Sequence, residues 1–242
     1  MTDIFAHRGS TGVPMPRENT IDAFRAAADQ GADGVELDVW RTAGGELAVR
    51  HERHVPGVGD VTNVSMAQLP ADVPTLTAAL DVCAALGLAV NVEVKCAGRC
   101  EATGAAVASA LADRPGRLLV SSFHPECLAA LRRAGSTVSL GLLVDWGQDP
   151  AGGAVRTACD LGCATLHPFV TWVDERLVAA ARTAGLGLHV WTVNADGDLE
   201  AMARLGVAAV ITARVVAARA ALARVASAGS SERGRNGGDR YG

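Results

Sequence analysis

Residues 125–144 read PECLAALRRAGSTVSLGLLV, and this stretch decides the fold class of the 242-residue chain. Leucine and alanine recur at helical spacing over its first ten residues, and Gly135 follows directly. A glycine just after the last periodic residue is the usual left-handed helix stop. The strand that follows, 139–144, is apolar on both faces, which is typical of a parallel sheet covered by helices. The stretch therefore predicts one helix–strand unit of an α/β fold.

The same unit repeats along almost the whole chain. Short runs rich in Val, Ile and Leu predict eight strands, at 4–6, 34–40, 88–94, 118–123, 139–144, 164–169, 186–193 and 208–212. Alanine-rich segments predict eight helices, at 20–30, 75–86, 101–112, 125–134, 151–161, 174–184, 196–205 and 215–226. Eight such units predict a (β/α)₈ TIM barrel over residues 1–226. An open doubly wound sheet is the alternative, which the lack of a GxGxxG turn after the first strand disfavours.

Two segments depart from this repeat. The excursion 41–74 separates the second and third main strands and contains a further short strand at 47–51. Extra length in a βα loop falls on the catalytic face of a barrel, so we expect this insertion near the active site. The C-terminal residues 227–242, SAGSSERGRNGGDRYG, are rich in glycine and almost free of apolar side chains, which predicts a disordered tail.

Charge and composition narrow the class of partner. A formal net charge of −4 argues against nucleic acid or an anionic membrane surface, because both bind basic proteins. No apolar run approaches the roughly 18 residues that span a bilayer, and residues 1–6 lack the features of a secretory signal. We therefore expect a cytoplasmic protein with a small-molecule substrate and no stable membrane insertion. All six cysteines are then expected to be free thiols, and neither Cys96/Cys100 nor Cys159/Cys163 has the spacing of a zinc module.

Acidic side chains lie in step on the second and third main strands. Glu36 and Asp38 are two residues apart on one strand, and Glu93 and Lys95 are two apart at the next, so each pair shares a face. Such charges at the end of a barrel interior are costly unless they are compensated. Because oxygen ligands are typical of hard cations, the three acids predict a site for one divalent ion, Mg²⁺ or Ca²⁺. The alternative is a set of buried ion pairs with Arg8 and Lys95.

Two histidines are expected beside these carboxylates. His7 ends the first strand, and His51 ends the short extra strand. Imidazoles beside a metal ion suit general acid and base catalysis near neutral pH. His7 and His51 are therefore the candidate catalytic pair. Among the other histidines, His189 ranks first because it shares a strand face with Trp191.

Eight short motifs follow one another along the chain. They are His7-Arg8-Gly9, Glu18-Asn19-Thr20, Glu36-Leu37-Asp38-Val39, His51, Pro74-Thr75-Leu76, Asn91-Val92-Glu93-Val94-Lys95, Ser121-Ser122-Phe123 and Val190-Trp191-Thr192-Val193-Asn194. Their order resembles that of the glycerophosphodiester phosphodiesterases, from His7 to about Thr212. The resemblance implies a metal-dependent TIM-barrel hydrolase that cleaves glycerophosphodiesters to glycerol 3-phosphate and an alcohol.

Matched position by position, the resemblance implies three groups of site residues: the metal ligands Glu36, Asp38 and Glu93, the acid–base pair His7 and His51, and the substrate-binding residues Arg8, Lys95 and Trp191. In the second motif, Asn19 or Thr20 would cap the first helix and Glu18 would orient Arg8. Two positions depart from the family pattern, since Glu52 replaces an aspartate after the second histidine and Ala213 replaces one late in the barrel.

Two other functions stay open at this level. A lysophospholipase D-type enzyme would cleave lysophospholipids in the same barrel and would need an apolar groove at its mouth. A non-catalytic barrel would bind a phosphorylated ligand without turnover, and Glu52 and Ala213 alone favour it. The aromatic side chains make up only 4% of the chain, and we expect them to gather at the mouth, together with the histidines.

Overall fold

A computed structural model describes residues 2–10 and 16–235, and a closed parallel barrel forms the centre of the molecule. The eleven strands in these ranges are β1 Asp3–His7, β2 Gly34–Arg41, β3 Leu47–Val49, β4 His54–Val55, β5 Gly59–Asp60, β6 Ala89–Val94, β7 Leu118–Ser122, β8 Ser139–Leu143, β9 Thr165–His167, β10 Gly187–Val190 and β11 Ala209–Thr212. Eight of these strands pair in parallel in the order β1, β2, β6, β7, β8, β9, β10 and β11, and β11 pairs with β1. The predicted TIM barrel is confirmed.

Helices cover the outside of the barrel. In the described part of the chain they are α1 Ile21–Asp29, α2 Leu76–Ala85, α3 Cys100–Leu111, α4 Pro125–Arg133, α5 Val155–Asp160, α6 Glu175–Thr183, α7 Asp196–Leu205 and α8 Val215–Arg235. The segment predicted as one helix at 151–161 is divided into a π-helical turn, Pro150–Ala154, and α5. None of the helices within residues 2–10 and 16–235 has the combined length and apolar character needed to cross a membrane.

The last helix differs most from its prediction. Helix α8 continues to Arg235, so residues 227–235 of the expected disordered tail are helical, while residues 236–242 lie outside the described ranges. Elongation of an existing helix adds one hydrogen bond for each residue that is fixed, and this allows a helix to continue beyond its apolar face.

Local sequence determines where several helices begin. Thr20, Thr75 and Asp174 each accept the backbone N–H of the third residue of α1, α2 and α6. Such N-caps contribute about 1 kcal/mol each. No side chain caps α3, which begins at Cys100, and the same is true of α4, α5 and α7.

The insertion after β2 lies at the carboxyl end of the barrel. Strand β3 pairs antiparallel with β2, and β4 and β5 form a short hairpin beyond it. Four buried apolar residues, Ala48, Val55, Val61 and Leu69, form a small core of their own. This core holds the insertion in place, and His51, expected to end the short strand, lies two residues beyond the end of β3.

Two of the six cysteines, all of which lie in the described ranges, are bonded to each other. Cys96 and Cys100 form a disulfide, with their Cα atoms 5.8 Å apart. The prediction of six free thiols is therefore wrong for this pair. Its physical reason is the short connection between β6 and α3, which brings the two Cα atoms within the usual span of a disulfide. The free cysteines are Cys83, Cys127, Cys159 and Cys163.

Candidate active site

The carboxyl ends of β1, β2 and β6, with the start of the insertion, bring the predicted residues into one cavity. In the sheet register, His7 lies beside Glu36 and Asp38 lies beside Glu93. The cavity has a volume of about 170 Å³. Its lining consists of His7, Arg8, Glu36, His51, Asn91, Glu93, Lys95, Ser121, Phe123, Leu143, Trp191, Thr192 and Ile211. Seven of the eight predicted site residues are in this lining, and the eighth, Asp38, contacts two of its members.

A larger groove of about 820 Å³ lies at the opposite end of the barrel, where β7 and β8 begin. Its charged lining residues are Asp113 and Arg114, and the others are mainly small side chains from α3 and the neighbouring loops. Active sites of TIM barrels form at the carboxyl ends of the strands. The smaller cavity is therefore the candidate active site.

Three buried carboxylates lie together at this cavity, Glu36 and Glu93 in its lining and Asp38 in contact with the lining residues Arg8 and Lys95, and we call them the carboxylate trio. One oxygen of each lies within 4.8 Å of the others. Burial and the charges of the other two acids raise the pKa of Glu36 well above its ordinary value. Burial likewise raises the pKa of Glu93 to about 7, although Lys95 opposes the shift. The negative charges of the trio are therefore only partly compensated by the protein.

Asp38 is the best-compensated member of the trio. Its oxygens lie 3.0 Å from Lys95 Nζ and 3.4 Å from Arg8 Nε, and Asn19 Nδ2 donates a hydrogen bond of 2.8 Å. Burial opposes ionisation, but Lys95 and Arg8 outweigh it and hold the pKa of Asp38 below its ordinary value. Of the two expected caps of α1, Thr20 takes that role, and Asn19 binds the aspartate instead.

The ion-pair alternative explains only part of this arrangement. Lys95 contacts both Asp38 and Glu93, and Arg8 contacts Asp38. Glu36 accepts the backbone N–H of Arg8 through one oxygen, but its other oxygen is buried without a hydrogen-bond partner in the described structure. A buried, unpaired carboxylate oxygen is costly. The trio therefore fits a hard divalent cation, which would bind the free oxygen of Glu36 together with its neighbours.

His7 and His51 face the cavity from two sides. His7 Nε2 lies 3.9 Å from Glu36 Oε2. Burial, with the positive charge of Arg8 as the next cause, lowers the pKa of His7 to about 4. His51 Nδ1 lies 2.8 Å from Glu52 Oε1, and its carbonyl oxygen accepts a hydrogen bond from Trp40 Nε1. At neutral pH, His7 is therefore an uncharged base, while the ring of His51 is oriented through Nδ1.

The two departures from the family pattern leave the site intact. Glu52 contacts His51, and the longer side chain thus orients the ring. Ala213 is not part of the cavity lining, and its N–H donates to Asn194 Oδ1 at 3.0 Å. The positions of Glu52 and Ala213 in the structure therefore do not support the hypothesis of a non-catalytic barrel.

Arg8 has an unusual backbone conformation. Its φ angle is +57°, and Gly9 follows with φ +81°. A left-handed residue other than glycine costs of order 1 kcal/mol and is typical of functional sites. This turn directs the backbone N–H of Arg8 to Glu36, and Glu18 accepts a 2.9 Å hydrogen bond from the guanidinium group, as expected.

Five aromatic residues form a continuous surface on the other side of the cavity, and we call them the aromatic wall: Phe123, Trp146, Phe169, Trp172 and Trp191. Phe123 and Trp191 line the cavity with their ring centroids 5.5 Å apart. The ring centroid of Phe169 lies 5.3 Å from that of Trp191 and 5.8 Å from that of Trp172. The ring centroid of Trp172 lies in turn 4.8 Å from that of Trp146. The wall runs outward to Trp146, which is 70% exposed.

His167 and His189 belong to the barrel interior. Their rings stack at 4.9 Å, and neither lines the cavity. Burial lowers the pKa of both imidazoles, that of His189 to about 4. The expectation that His189 would join Trp191 at the site is therefore not met. Trp191 instead donates its indole N–H to the carbonyl oxygen of His167 at 2.8 Å.

Two further polar residues, to which no role was assigned from sequence, reach the cavity. Asn91 lies beside Glu36 in the sheet, and Ser121 lies beside Glu93. Asn91 Oδ1 and Ser121 Oγ are buried without hydrogen-bond partners among the described residues. The signal was present in the sequence, since Asn91 is two residues from Glu93 and thus shares its face.

The chain is similar in sequence to a set of phosphodiesterases. Residues 7–217 match the sequence profile of the Glycerophosphoryl diester phosphodiesterase family. A glycerophosphodiester phosphodiesterase from Caldanaerobacter subterraneus subsp. tengcongensis is 31% identical, over 87% of this chain and 93% of the relative. A probable glycerophosphodiester phosphodiesterase 2 from Mycobacterium tuberculosis is also 31% identical, over 86% of each chain.

Solved structures show the same fold. A phosphodiesterase from Oleispira antarctica in complex with the product sn-glycerol-3-phosphate superposes with a TM-score of 0.83 at 24% identity, covering 91% of this chain and 96% of its own. A glycerophosphodiester phosphodiesterase from Thermotoga maritima has a TM-score of 0.74 at 24% identity, covering 89% and 96%. The chain therefore belongs to the glycerophosphoryl diester phosphodiesterase family of enzymes.

Proposed function

We propose that this enzyme hydrolyses glycerophosphodiesters to glycerol 3-phosphate and an alcohol, with one divalent cation, Mg²⁺ or Ca²⁺, at the carboxylate trio. The observation that carries the proposal is Glu36, which keeps a buried, unpartnered oxygen within 4.8 Å of ligand atoms from Asp38 and Glu93. The product complex of the O. antarctica relative supports the same substrate class. When bound, the cation would supply positive charge for the phosphate oxygens.

Arg8 and Lys95 are the phosphate-binding residues in this proposal. Both line the cavity, and both are held by carboxylates, Arg8 by Glu18 and Asp38 and Lys95 by Asp38 and Glu93. Their positive charges are thus fixed at the edge of the cavity before a substrate arrives. Charge-assisted hydrogen bonds from such preorganised donors stabilise the negative charge that develops on the non-bridging oxygens.

The histidines divide the proton transfers. We assign His7 as the general base, because its lowered pKa of about 4 leaves the imidazole free to accept a proton at neutral pH. His51, oriented by Glu52, is then the general acid that protonates the departing alcohol. His7 would activate either water or the glycerol hydroxyl of the substrate. If the glycerol hydroxyl is the nucleophile, a cyclic phosphate intermediate should be visible by ³¹P NMR during turnover. If water is the nucleophile, no such intermediate forms.

The test is a substrate panel measured with several metals. Glycerophosphocholine and glycerophosphoethanolamine are incubated with the protein and Mg²⁺, Ca²⁺ or excess EDTA, and glycerol 3-phosphate is quantified. We expect release with at least one of the two metals and loss of release with EDTA. If no diester is hydrolysed with either metal, the proposal is wrong.

The aromatic wall favours a second candidate, the hydrolysis of lysophospholipids. The 170 Å³ cavity holds little more than a glycerophosphate group, so an attached acyl chain must lie outside it. The wall begins at Trp191 inside the cavity and ends at the exposed Trp146, which gives such a chain an apolar surface. Comparing kcat/KM for lysophosphatidylcholine and glycerophosphocholine tests this candidate, and a clear preference for the soluble diester would contradict it.

A further inference from the structure

A disulfide lies directly beside the catalytic centre. Cys96 follows Lys95, and Cys100 is the first residue of α3. Both cysteines are partly exposed, so a small thiol or disulfide in solution has access to them. A helix N-terminus also stabilises a thiolate, which is the reactive form of cysteine.

This bond ties the start of α3 to the segment that follows β6. No side chain caps α3, as is also the case for α4, α5 and α7, but α3 is tied to residue 96 by the disulfide. The bond therefore joins the two ends of the loop 96–100, which follows Lys95 directly. Lys95 itself contacts Asp38 and Glu93 of the carboxylate trio. Opening the disulfide would free this loop while leaving the trio in place.

A third cysteine, Cys127 of α4, lies close to the pair. The three Sγ atoms are within 4.8 Å of one another, a spacing that would also allow three thiolates to bind one soft metal ion. Cys127 is fully buried, however, and burial raises the pKa of its thiol to about 12. Because metal binding needs the thiolate form, this burial favours a disulfide between the two partly exposed cysteines.

We propose that Cys96 and Cys100 are a reversible redox site that controls how firmly Lys95 is positioned for the substrate phosphate. The role of Lys95 rests on the proposed function, and the two cysteines are positioning residues. The oxidant is a low-molecular-weight disulfide, RSSR. One cysteine thiolate attacks it to give a mixed disulfide and RS⁻, and the second thiolate displaces the remaining RS⁻. Two cysteine thiols are thereby oxidised, and RSSR is reduced to two RSH that take up the two protons.

The test uses the full chain at defined ratios of oxidised to reduced glutathione. Free thiols are alkylated, counted after denaturation, and located by mass spectrometry. We expect a reversible change between six free thiols and four, with the Cys96–Cys100 bond accounting for the difference. Cys127→Ser is the matched control, and it should leave this bond unchanged. Because thiol counting does not depend on hydrolysis, it gives a result even if no diester is a substrate.

Kinetics test the connection to Lys95. On reduction, we expect KM for glycerophosphocholine to rise about threefold with little change in kcat, because the freed loop must be ordered on binding. Cys96→Ser and Cys100→Ser should each match the reduced parent and no longer respond to glutathione.

Several outcomes would overturn the proposal. Six free thiols at every glutathione ratio would exclude the redox site. A disulfide that includes Cys127 would show that the proposed pairing of Cys96 with Cys100 is wrong. Binding of one Zn²⁺ that is lost equally in Cys96→Ser, Cys100→Ser and Cys127→Ser would identify a metal site instead. An identical KM in both redox states would disprove the positioning of Lys95.

Discussion

The mouth of the barrel has two unlike halves. Strands β1, β2 and β6 carry the carboxylate trio and its positively charged partners, whereas β7 to β10 and their loops carry the aromatic wall. In the charged half, Glu36 keeps an unpaired oxygen and Arg8 has a left-handed backbone. In the aromatic half, Trp191 has its hydrogen bond and the rings pack edge to face. The charged half thus keeps a buried carboxylate oxygen without a hydrogen-bond partner among the described residues, while the rings of the aromatic half are packed against one another.

This difference between the two halves suggests different roles, catalysis for the charged half and substrate recognition for the aromatic half. Uncompensated buried charge is tolerated where an ion or substrate supplies the missing partner. Packed aromatic rings contribute about 1 kcal/mol for each pair and need no ligand. We therefore expect substitutions in the charged half to change catalysis, and substitutions in the aromatic half to change substrate preference.

The largest effect is expected at Glu36. Glu36→Gln replaces one of the oxygens that would bind the proposed cation, and kcat/KM should fall about a thousandfold. The metal-free protein should unfold at the same temperature or higher, because the substitution removes a buried carboxyl group whose pKa is raised by burial and by the other two acids. Thermal melts in EDTA and glycerol 3-phosphate release measure the two results. Glu175→Gln, in the first turn of α6, is the control and should change neither.

The proposed catalytic pair, His7 and His51, should have the next largest effect. His7→Ala and His51→Ala should each lower kcat roughly a hundredfold, because each removes one of the two proposed proton transfers. His54→Ala is the matched control, since His54 is exposed on the insertion and does not line the cavity. Equal inactivity of the parent and both variants, with retained binding of the diester, would instead identify a non-catalytic barrel.

The pH dependence of stability tests the charge of the trio. In metal-free protein, the pKa of Glu93 is about 7, above the value of about 4.3 expected for an unfolded chain. Between those pH values the folded state binds more protons, so its free energy of unfolding should fall by about 3 kcal/mol as the pH rises. His7, with its lowered pKa, contributes the opposite slope between about pH 4 and 6.5.

Glu93→Gln removes this contribution, while the slopes from His7 and from Glu36, whose pKa is also raised, are present in both proteins. Urea unfolding in EDTA at pH 5 and pH 7.5 should therefore show a clearly larger fall in the parent than in the variant. Parallel pH profiles would mean that Glu93 titrates as an ordinary exposed glutamate.

The smallest effect is expected at the outer end of the aromatic wall. Trp146→Ala should lower kcat/KM for lysophosphatidylcholine about fivefold relative to glycerophosphocholine, because only the acyl-bearing substrate reaches this ring. Val216→Ala, which removes an exposed apolar side chain elsewhere, should leave the ratio unchanged. Equal losses for both substrates would mean that the wall does not discriminate between them.

The sequence was sufficient for the barrel because its signal is local and repeated. Each helix–strand unit has the same pattern, and the spacing of Glu36 and Asp38 places both carboxylates on one strand face. Depth along a strand was harder to predict. His189 shares its face with Trp191 but lies two residues earlier, roughly 6.6 Å deeper in the barrel, where it stacks on His167.

Contacts between distant segments explain the other differences. Asn19 precedes a helix, a position that predicts capping, yet it binds Asp38 because β2 passes beside the start of α1. The disulfide between Cys96 and Cys100 depends on how sharply the chain turns after β6, which composition does not reveal. In both cases a tertiary arrangement decided between local alternatives.

The most direct test of the central claim is a cation titration combined with hydrolysis. Mg²⁺ or Ca²⁺ is added stepwise to EDTA-treated protein, and cation binding and glycerol 3-phosphate release are measured on the same samples. The carboxylate trio predicts one ion per chain and a rate that rises in proportion to occupancy, both lost in Glu36→Gln. Full activity at zero occupancy, or unchanged binding in the variant, would contradict this account.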